Sequence, residues 1–120
     1  MTEQKVIYVA CPFSHSDESV RNHRFDVANK YAARLMKLGH IVFSPLSHSV
    51  PISQYIGNPN DSDFYVRQDL YWLQFCDEVH AIMLPGYYES LGVKRETDEA
   101  HKLGILVLHI IPERRHDHES

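Results

Sequence analysis

One glutamate occupies a helix position at which the surrounding spacing predicts an apolar side chain. Four residues follow the i, i+3, i+7, i+10 spacing that aligns side chains along one helix face: Val93, Glu96, Ala100 and Leu103. That face should pack against a sheet, and burying an unpaired carboxylate is costly. Glu96 therefore needs either a partner or a chemical role. The alternative is a helix register that differs by one position, with Glu96 in solvent beside Lys102.

A second acid lies in an aromatic stripe on the preceding predicted helix. Asp69 shares a helix face with Tyr65, Trp72 and Cys76. Two acids from neighbouring helices can converge on one substrate. Paired carboxylates in different environments suit glycosyl transfer, because one ionised group attacks the anomeric carbon while the other protonates the leaving group. The alternative for Asp69 is a surface acid that pairs with Arg67 or with nearby lysines.

Aromatic residues near the same predicted site could stack a planar base. The candidates are Tyr8, Phe13, Tyr87 and Tyr88. For each tyrosine taken singly, packing or a surface position is the more common role.

The chain alternates between predicted strands and predicted helices. Strands are predicted at residues 5–10, 40–44, 79–84 and 105–110, and helices at residues 17–38, 61–76 and 90–103. Candidate N-caps are Ser16 or Asp17 for the first helix, Asp61 or Ser62 for the second and Ser90 for the third, and Gly39 is a candidate C-cap. The strand segments are apolar throughout, which predicts a parallel sheet covered on both faces and therefore an α/β fold. Ligands of such sheets bind at the carboxyl ends of the strands. We expect the carboxyl ends of these strands to be flanked by residues 11–15, by residues 85–89 and by the helix that begins at Ser90.

A long connection follows the second strand. Residues 45–60 contain Pro51, Gly57 and Pro59, and the segment exceeds most connections in small domains. We expect a lid or substrate loop with a helical turn at residues 50–56. His48 in this segment is a candidate substrate contact.

Length and composition predict one domain. The chain has 120 residues, of which 43% are apolar and 23% charged, as is typical of a soluble globular protein. We expect a domain at residues 1–111 and a polar tail at residues 112–120. The first residues lack the pattern of a secretory signal, and no apolar stretch is long enough to cross a bilayer. These features favour a cytoplasmic location without a membrane partner.

The remaining composition argues against several kinds of site. Cys11 and Cys76 are too few for a disulfide framework and are expected to be free thiols. A net charge of −4 argues against a nucleic-acid polymer as partner. The nine histidines are scattered without ligand spacing, so no metal is expected. No phosphate-binding or dinucleotide-binding glycine motif is present, and no cofactor is expected.

Three sequence elements resemble the nucleoside 2-deoxyribosyltransferase superfamily over nearly the whole domain. They are Tyr8 in the first strand, Asp69-Leu70-Tyr71-Trp72-Leu73 followed by Cys76-Asp77-Glu78-Val79, and Ser90-Leu91-Gly92-Val93-Lys94-Arg95-Glu96 with Ala100. Within the superfamily, the chain looks most similar to the 2′-deoxynucleoside 5′-phosphate N-hydrolases and to small uncharacterised bacterial and phage homologues.

The resemblance implies a flavodoxin-like three-layer sandwich with a mostly parallel sheet of about five strands. It also implies a homo-oligomer, dimer or tetramer, that cleaves the N-glycosidic bond of a small nucleoside or nucleotide. Glu96 matches the family nucleophile, Asp69 the acid that helps the base leave, and Tyr8 the residue that holds the nucleophile. Ser90 matches a position near the 5′-phosphate, where helix N–H groups could bind an anion.

The substrate-binding residues expected at this site come from several segments of the chain. They are Cys11, Phe13, Ser14, His48, Tyr87, Ser90 and Gly92.

Three departures from the family pattern leave the reaction and substrate open. Ser90 replaces an acid of the transferases, which favours hydrolysis of a phosphorylated nucleotide over transfer between nucleosides. Residues 11–15 lack the glycine-rich loop of the phosphate-dependent hydrolases, and residues 97–99 add two acids after the nucleophile. A non-catalytic nucleotide or sugar-phosphate binding module, or an assembly subunit with a decayed site, therefore stands as an alternative.

Overall fold

A parallel sheet in the order β2-β1-β3-β4 forms the centre of this protein, as seen in a computed structural model that describes residues 3–57 and 62–112. Its strands are β1 (Val6–Ala10), β2 (Ile41–Phe43), β3 (Glu78–Ile82) and β4 (Leu106–Ile110). The helices are α1 (Glu18–Lys37), α2 (Pro45–Ser53), α3 (Ser62–Leu73) and α4 (Leu91–Lys102), with a short 3-10 helix at Tyr87–Glu89.

Apolar side chains of the strands pack on both faces of the sheet. Tyr8, Val79 and Ala81 pack with α3 and α4 on one face, whereas Ile7 and Val9 pack with α1 on the other. The three layers confirm the predicted flavodoxin-like α/β class. Strand order reverses between β1 and β3, so the ligand-binding position of such sheets lies at the carboxyl ends of these two strands.

The number of strands differs from the expectation of about five, which came from the resemblance. The described residues form four strands, which coincide with the four apolar runs of the sequence.

The sheet is covered less completely than the apolar pattern predicted. Helix α1 packs near β2, and α2 near β1, toward the edge of the sheet opposite β4. Leu106 and Leu108 on β4 therefore expose 55% and 37% of their surface. The apolar edge strand is only partly buried.

Helix ends follow the predicted capping chemistry. Asp17 caps α1 by accepting a hydrogen bond from the Ser19 backbone N–H, and Ser90 caps α4 by accepting one from Val93. Gly39 lies just beyond α1 with a φ of 99°, in the left-handed region that favours glycine. The cap predicted for α3, Asp61 or Ser62, lies outside the side chains that the structure describes.

Residues 45–57 are mainly helical rather than a loop. Helix α2 begins at Pro45, because proline at the first helical position has a suitable φ and needs no N–H acceptor. The helical turn predicted at residues 50–56 is therefore the end of a helix that begins five residues earlier. Pro59 and most of the predicted tail, residues 113–120, lie outside the described residues.

Three further observations concern the described part of the chain. None of its helices combines the length and apolar character needed to cross a membrane. In the same residues, no three His, Cys, Asp or Glu side chains lie close enough together to hold a metal ion. Cys11 and Cys76 are free thiols, as predicted.

Candidate active site

The inward-facing glutamate of α4 is held by a tyrosine of the first strand. Glu96 is only 6% exposed, and its Oε2 accepts a hydrogen bond from the Tyr8 hydroxyl, which is fully buried. Val93 and Ala100 share the buried face, while Leu103 at the helix end is 45% exposed. The helix register that placed Glu96 inward is confirmed, and the alternative of a solvated Glu96 is wrong.

Burial dominates the protonation of Glu96. Removal from water raises the pKa of Glu96 to about 8, against the Tyr8 hydrogen bond, which favours the charged form. The negative charge of Asp69 adds to the increase. Burial raises the pKa of Tyr8 well above its usual value, so this phenol keeps its proton and donates a hydrogen bond to the carboxylate.

Asp69 of α3 is the second buried acid. It is 6% exposed, and burial raises its pKa to about 6. Its Oδ1 atom has no hydrogen-bond partner among the described residues. Because an unpaired buried oxygen is costly, this atom is available to a group that a ligand would supply. The surface pairing with Arg67 that remained open from the sequence is not found.

The two acids belong to one electrostatic unit. Asp69 and Glu96 line the same cleft, and the negative charge of Asp69 raises the pKa values of both Glu96 and Tyr8. Two carboxyl groups that repel each other retain a proton more readily than either would alone. Such a unit can present one ionised carboxylate and one carboxylic acid to the same ligand, as displacement at a glycosidic carbon requires.

A cleft of about 1280 Å³ opens beside these acids at the carboxyl ends of β1 and β3. Residues from α1, α2, α3, α4 and the two loops that follow β1 and β3 line it. The predicted site residues among its lining are Cys11, Phe13, Ser14, Asp69, Ser90, Gly92 and Glu96. The volume is ample for a nucleoside-sized molecule, since small-molecule pockets span about 300–1000 Å³.

Two predicted substrate contacts lie away from the cleft. His48 is exposed and lies beside Phe43 with the two rings tilted, because α2 turns Leu46, Ser49 and Val50 toward the cleft instead. Tyr87 lies in the core, where its hydroxyl is hydrogen-bonded to His109 at 2.6 Å. His48 and Tyr87 were predicted to contact the substrate, and neither is found in the described lining of the cleft.

The aromatic lining also differs from the prediction. Tyr88 is 81% exposed and does not line the cleft, and Tyr8 lies behind Glu96. Phe13 does line it, as predicted, and Tyr65 of α3 joins it. These two rings are the aromatic surfaces available to a ligand in the described lining.

The largest omission of the sequence reasoning is Arg24. This arginine of α1 is 7% exposed and lines the cleft. Arg24, Ala28, Ala32 and Leu35 follow helical spacing, so the argument that identified Glu96 could have identified Arg24 as well.

Cys11 lines the cleft as a buried free thiol just after β1. Burial raises the pKa of its thiol to about 12, with a further contribution from the charge of Glu96. The group therefore stays protonated near neutrality, which argues against a thiolate nucleophile.

The acids that follow Glu96 face away from the site. Asp98 pairs with Lys94 at 2.9 Å on the exposed side of α4, and Glu99 lies 3.8 Å from Lys102. Neither acid lines the cleft. The negative charge after the nucleophile position is therefore directed away from a bound ligand.

Comparisons with known proteins agree with this architecture. The model of the family described as domain of unknown function DUF1937 matches residues 5–110. The 2-deoxyribosyltransferase of Bacillus psychrosaccharolyticus is 26% identical, with a TM-score of 0.66 over 89% of this chain and 72% of that chain. The 2-deoxyribosyltransferase of Leishmania mexicana is 18% identical, with a TM-score of 0.59 over 92% of this chain and 67% of that chain.

The two structural likenesses carry different weight. The Leishmania enzyme supports the fold alone, whereas the Bacillus enzyme adds sequence identity over most of both chains. Together they confirm the resemblance to the nucleoside 2-deoxyribosyltransferase superfamily. A search of the curated proteins found no match.

Proposed function

We propose that this chain, which belongs to the DUF1937 family, cleaves the N-glycosidic bond of a nucleoside or nucleoside 5′-monophosphate, or transfers the deoxyribosyl group to another base. The observation that carries the proposal is the buried Glu96 carboxyl in the cleft lining. It accepts a hydrogen bond from Tyr8, and the charge of Asp69 raises its pKa. Asp69 and Glu96 line the same cleft, and Tyr8 is hydrogen-bonded to Glu96. Because burying such groups is costly, their retention argues against a decayed site.

The proposed reaction has two displacements at the anomeric carbon. In the first, a Glu96 oxygen forms a bond to C1′ while the C1′–N bond breaks, and its electron pair leaves with the base. Asp69 donates the proton that the departing base nitrogen takes up. In the second, water or another base attacks C1′, Asp69 accepts its proton, and the Glu96 carboxylate is released.

Tyr8 has a positioning and electrostatic role in this scheme. Its hydroxyl bonds one oxygen of Glu96 and leaves the other oxygen for attack. The same hydrogen bond favours the ionised form of Glu96, which is the form that attacks.

The choice between hydrolysis and transfer depends on whether the N-terminus of α4 binds a 5′-phosphate. Ser90 already accepts the Val93 N–H as a helix cap, and the remaining N–H groups of the first turn are available to an anion such as a 5′-phosphate. We favour hydrolysis of a phosphorylated nucleotide. The Bacillus relative is described as a biocatalyst for nucleoside synthesis, so transfer to a second base is the competing outcome.

The test is release of free base from a panel of nucleosides and 5′-monophosphates, with and without a second base, followed by chromatography. We expect Glu96→Gln to lower the rate by about a thousandfold or more, the scale seen when an attacking group is removed. Asp98→Asn is the matched control, because Asp98 is an exposed acid on the same helix. A Glu96→Gln protein that works at the wild-type rate would refute the role of Glu96.

The binding-module alternative has its own outcome in this experiment. Recovery of every ligand unchanged, with measurable binding by the wild-type protein, would favour a non-catalytic nucleotide or sugar-phosphate module.

We also propose self-association, as expected from the superfamily, and a cytoplasmic location. Light scattering of the purified protein measures the first of these directly.

A further inference from the structure

Arg24 connects two loops that are far apart in the sequence. Its Nη1 donates to the Ser14 carbonyl at 3.0 Å, and its Nη2 donates to the Pro85 carbonyl at 2.8 Å. Ser14 belongs to the loop after β1, and Pro85 to the loop after β3. Both loops line the cleft. One guanidinium group therefore spans two walls of the candidate site.

The charge of Arg24 is satisfied in an unusual way. The side chain is 7% exposed, and its hydrogen-bond partners among the described residues are the two backbone carbonyls rather than a carboxylate. A buried cation is costly unless it is well hydrogen-bonded, so these charge-assisted bonds need to be maintained. A lysine has no planar fork and cannot reproduce both bonds in the same geometry.

Gly86 provides independent evidence that the chain accommodates this contact. A Cβ atom at position 86 would lie 2.5 Å from Nη2 of Arg24, which is closer than real Cβ contacts. Gly86 also has a φ of 90°, which other residues rarely adopt. The turn after β3 thus gives the guanidinium room to reach the Pro85 carbonyl.

We propose that Arg24 is a positioning residue that clamps the loop at residues 11–15 to the turn at residues 85–86 and so sets the width of the cleft. The clamp is independent of any substrate. Its consequence for turnover rests on the proposed function, since only a ligand bound between the two walls would register their spacing.

Cys11 offers a native reporter of the clamp. Its thiol lies on the clamped loop, is 8% exposed and donates weakly to the Arg24 carbonyl at 3.7 Å. Cys76 is buried elsewhere in the core, at 7% exposure, and therefore reports general unfolding. Alkylation of each thiol can be measured separately by peptide mass spectrometry.

The first experiment compares alkylation by iodoacetamide in wild type, Arg24→Ala and Arg34→Ala. Arg34 is an exposed arginine on the same helix, outside the cleft lining. We expect Arg24→Ala to raise the Cys11 rate by about tenfold or more, because two hydrogen bonds from a charged donor are lost. Arg34→Ala and the Cys76 rate should stay at wild-type values. Equal increases at both cysteines, or no increase at Cys11, would overturn the clamp.

Chemical rescue separates a clamp from a packing role. Millimolar guanidinium should bind where the Arg24→Ala side chain is missing and return the Cys11 rate toward wild type. Sodium chloride at the same ionic strength should have no such effect, and rescue by both salts or neither would contradict the proposal. If Arg24→Ala fails to fold, Gly86→Ala tests the same contact from the other side and should also raise Cys11 labelling selectively.

The link to turnover is tested on the active enzyme with Arg24→Lys. We expect KM to rise by about tenfold with a smaller change in kcat, because the clamp spaces the walls and leaves the acids in place. An equal loss in kcat with an unchanged KM would contradict the link. Because the labelling needs no substrate, an inactive protein would count against the proposed function and leave the clamp result valid.

Discussion

At the scale of single residues, the candidate site depends on where one proton lies. Burial raises the pKa values of both acids, to about 6 for Asp69 and about 8 for Glu96. Between these values the pair holds one proton, and the apparent values belong to the pair rather than to either residue. The higher pKa of Glu96 places this proton mainly on Glu96, whereas attack requires the charge on Glu96 and the proton on Asp69. The reactive arrangement is therefore the less populated one. The Tyr8 hydrogen bond shifts the balance toward that arrangement.

We expect kcat/KM for base release to follow a bell-shaped pH profile. The rate should fall below pH about 6, where both acids are protonated and no nucleophile remains, and above pH about 8, where both are ionised and no proton is available. Initial rates measured over the range from pH about 5 to about 9 give the two limbs. A profile that rises monotonically across this range would exclude a shared proton.

Tyr8→Phe should impair the reaction in two linked ways. Loss of the hydroxyl removes the hydrogen bond that lowers the pKa of Glu96, so the single proton moves toward Glu96. We expect kcat/KM to fall by about 10- to 100-fold, the cost of a hydrogen bond to a charged group. The alkaline limb should move to higher pH. An unchanged limb with a reduced rate would point to packing alone, and Tyr71→Phe on the surface is the control.

At the scale of helices and strands, local chemistry predicted most of the structure. The apolar runs predicted all four strands, and the caps at Asp17 and Ser90 predicted the starts of α1 and α4. Residues 45–53 were misassigned because proline is both a helix breaker and a good first helical residue, and the sequence alone does not separate these roles.

The site was predicted only where helical spacing applies. Glu96 and Asp69 were identified as inward-facing acids because their neighbours are apolar at helical intervals. His48 and Tyr87 lie outside the described cleft lining because their orientation depends on helix α2 and on the 3-10 turn, which the sequence did not indicate. The reach of Arg24 to Pro85 is a tertiary contact between residues 61 positions apart, which no local pattern encodes.

Helix α3 carries a matched pair of tyrosines on different faces. Tyr65 lines the cleft, whereas Tyr71 is 57% exposed and packs against Trp72 and Phe75. We expect Tyr65→Ala to raise KM by about tenfold, since stacking on a base is worth about 1–3 kcal/mol. Tyr71→Ala should leave KM unchanged. Substrate titrations of both variants measure the two KM values. Equal KM values for the two variants would show that Tyr65 does not bind the base.

At the scale of the whole molecule, the buried acids lower stability as they ionise. Their folded pKa values, about 6 for Asp69 and about 8 for Glu96, lie above the ordinary values of 3.8 and 4.5. The folded state therefore binds more protons than the unfolded state between these limits. Stability contributed by the protonated acids is complete below pH about 4 and is lost as pH rises toward about 8.

The double variant Glu96→Gln, Asp69→Asn should reveal this dependence. Its free energy of unfolding relative to wild type should increase by a few kcal/mol between pH about 4 and about 8, because neither amide ionises. Urea unfolding at several pH values measures the difference, in which unrelated titrating groups cancel. Asp98→Asn should show no comparable trend. A pH-independent difference would mean that burial leaves both acids with ordinary titration.

Tyr8 and Glu96 are 88 positions apart, yet they share one hydrogen bond. During synthesis on the ribosome, the tyrosine emerges long before the acid that it will hold. No amino-terminal portion of the chain that stops short of α4 can contain the complete trio, however well its first strand and helix are formed. Turnover would therefore begin only after the last third of the polypeptide has packed back onto the first strand.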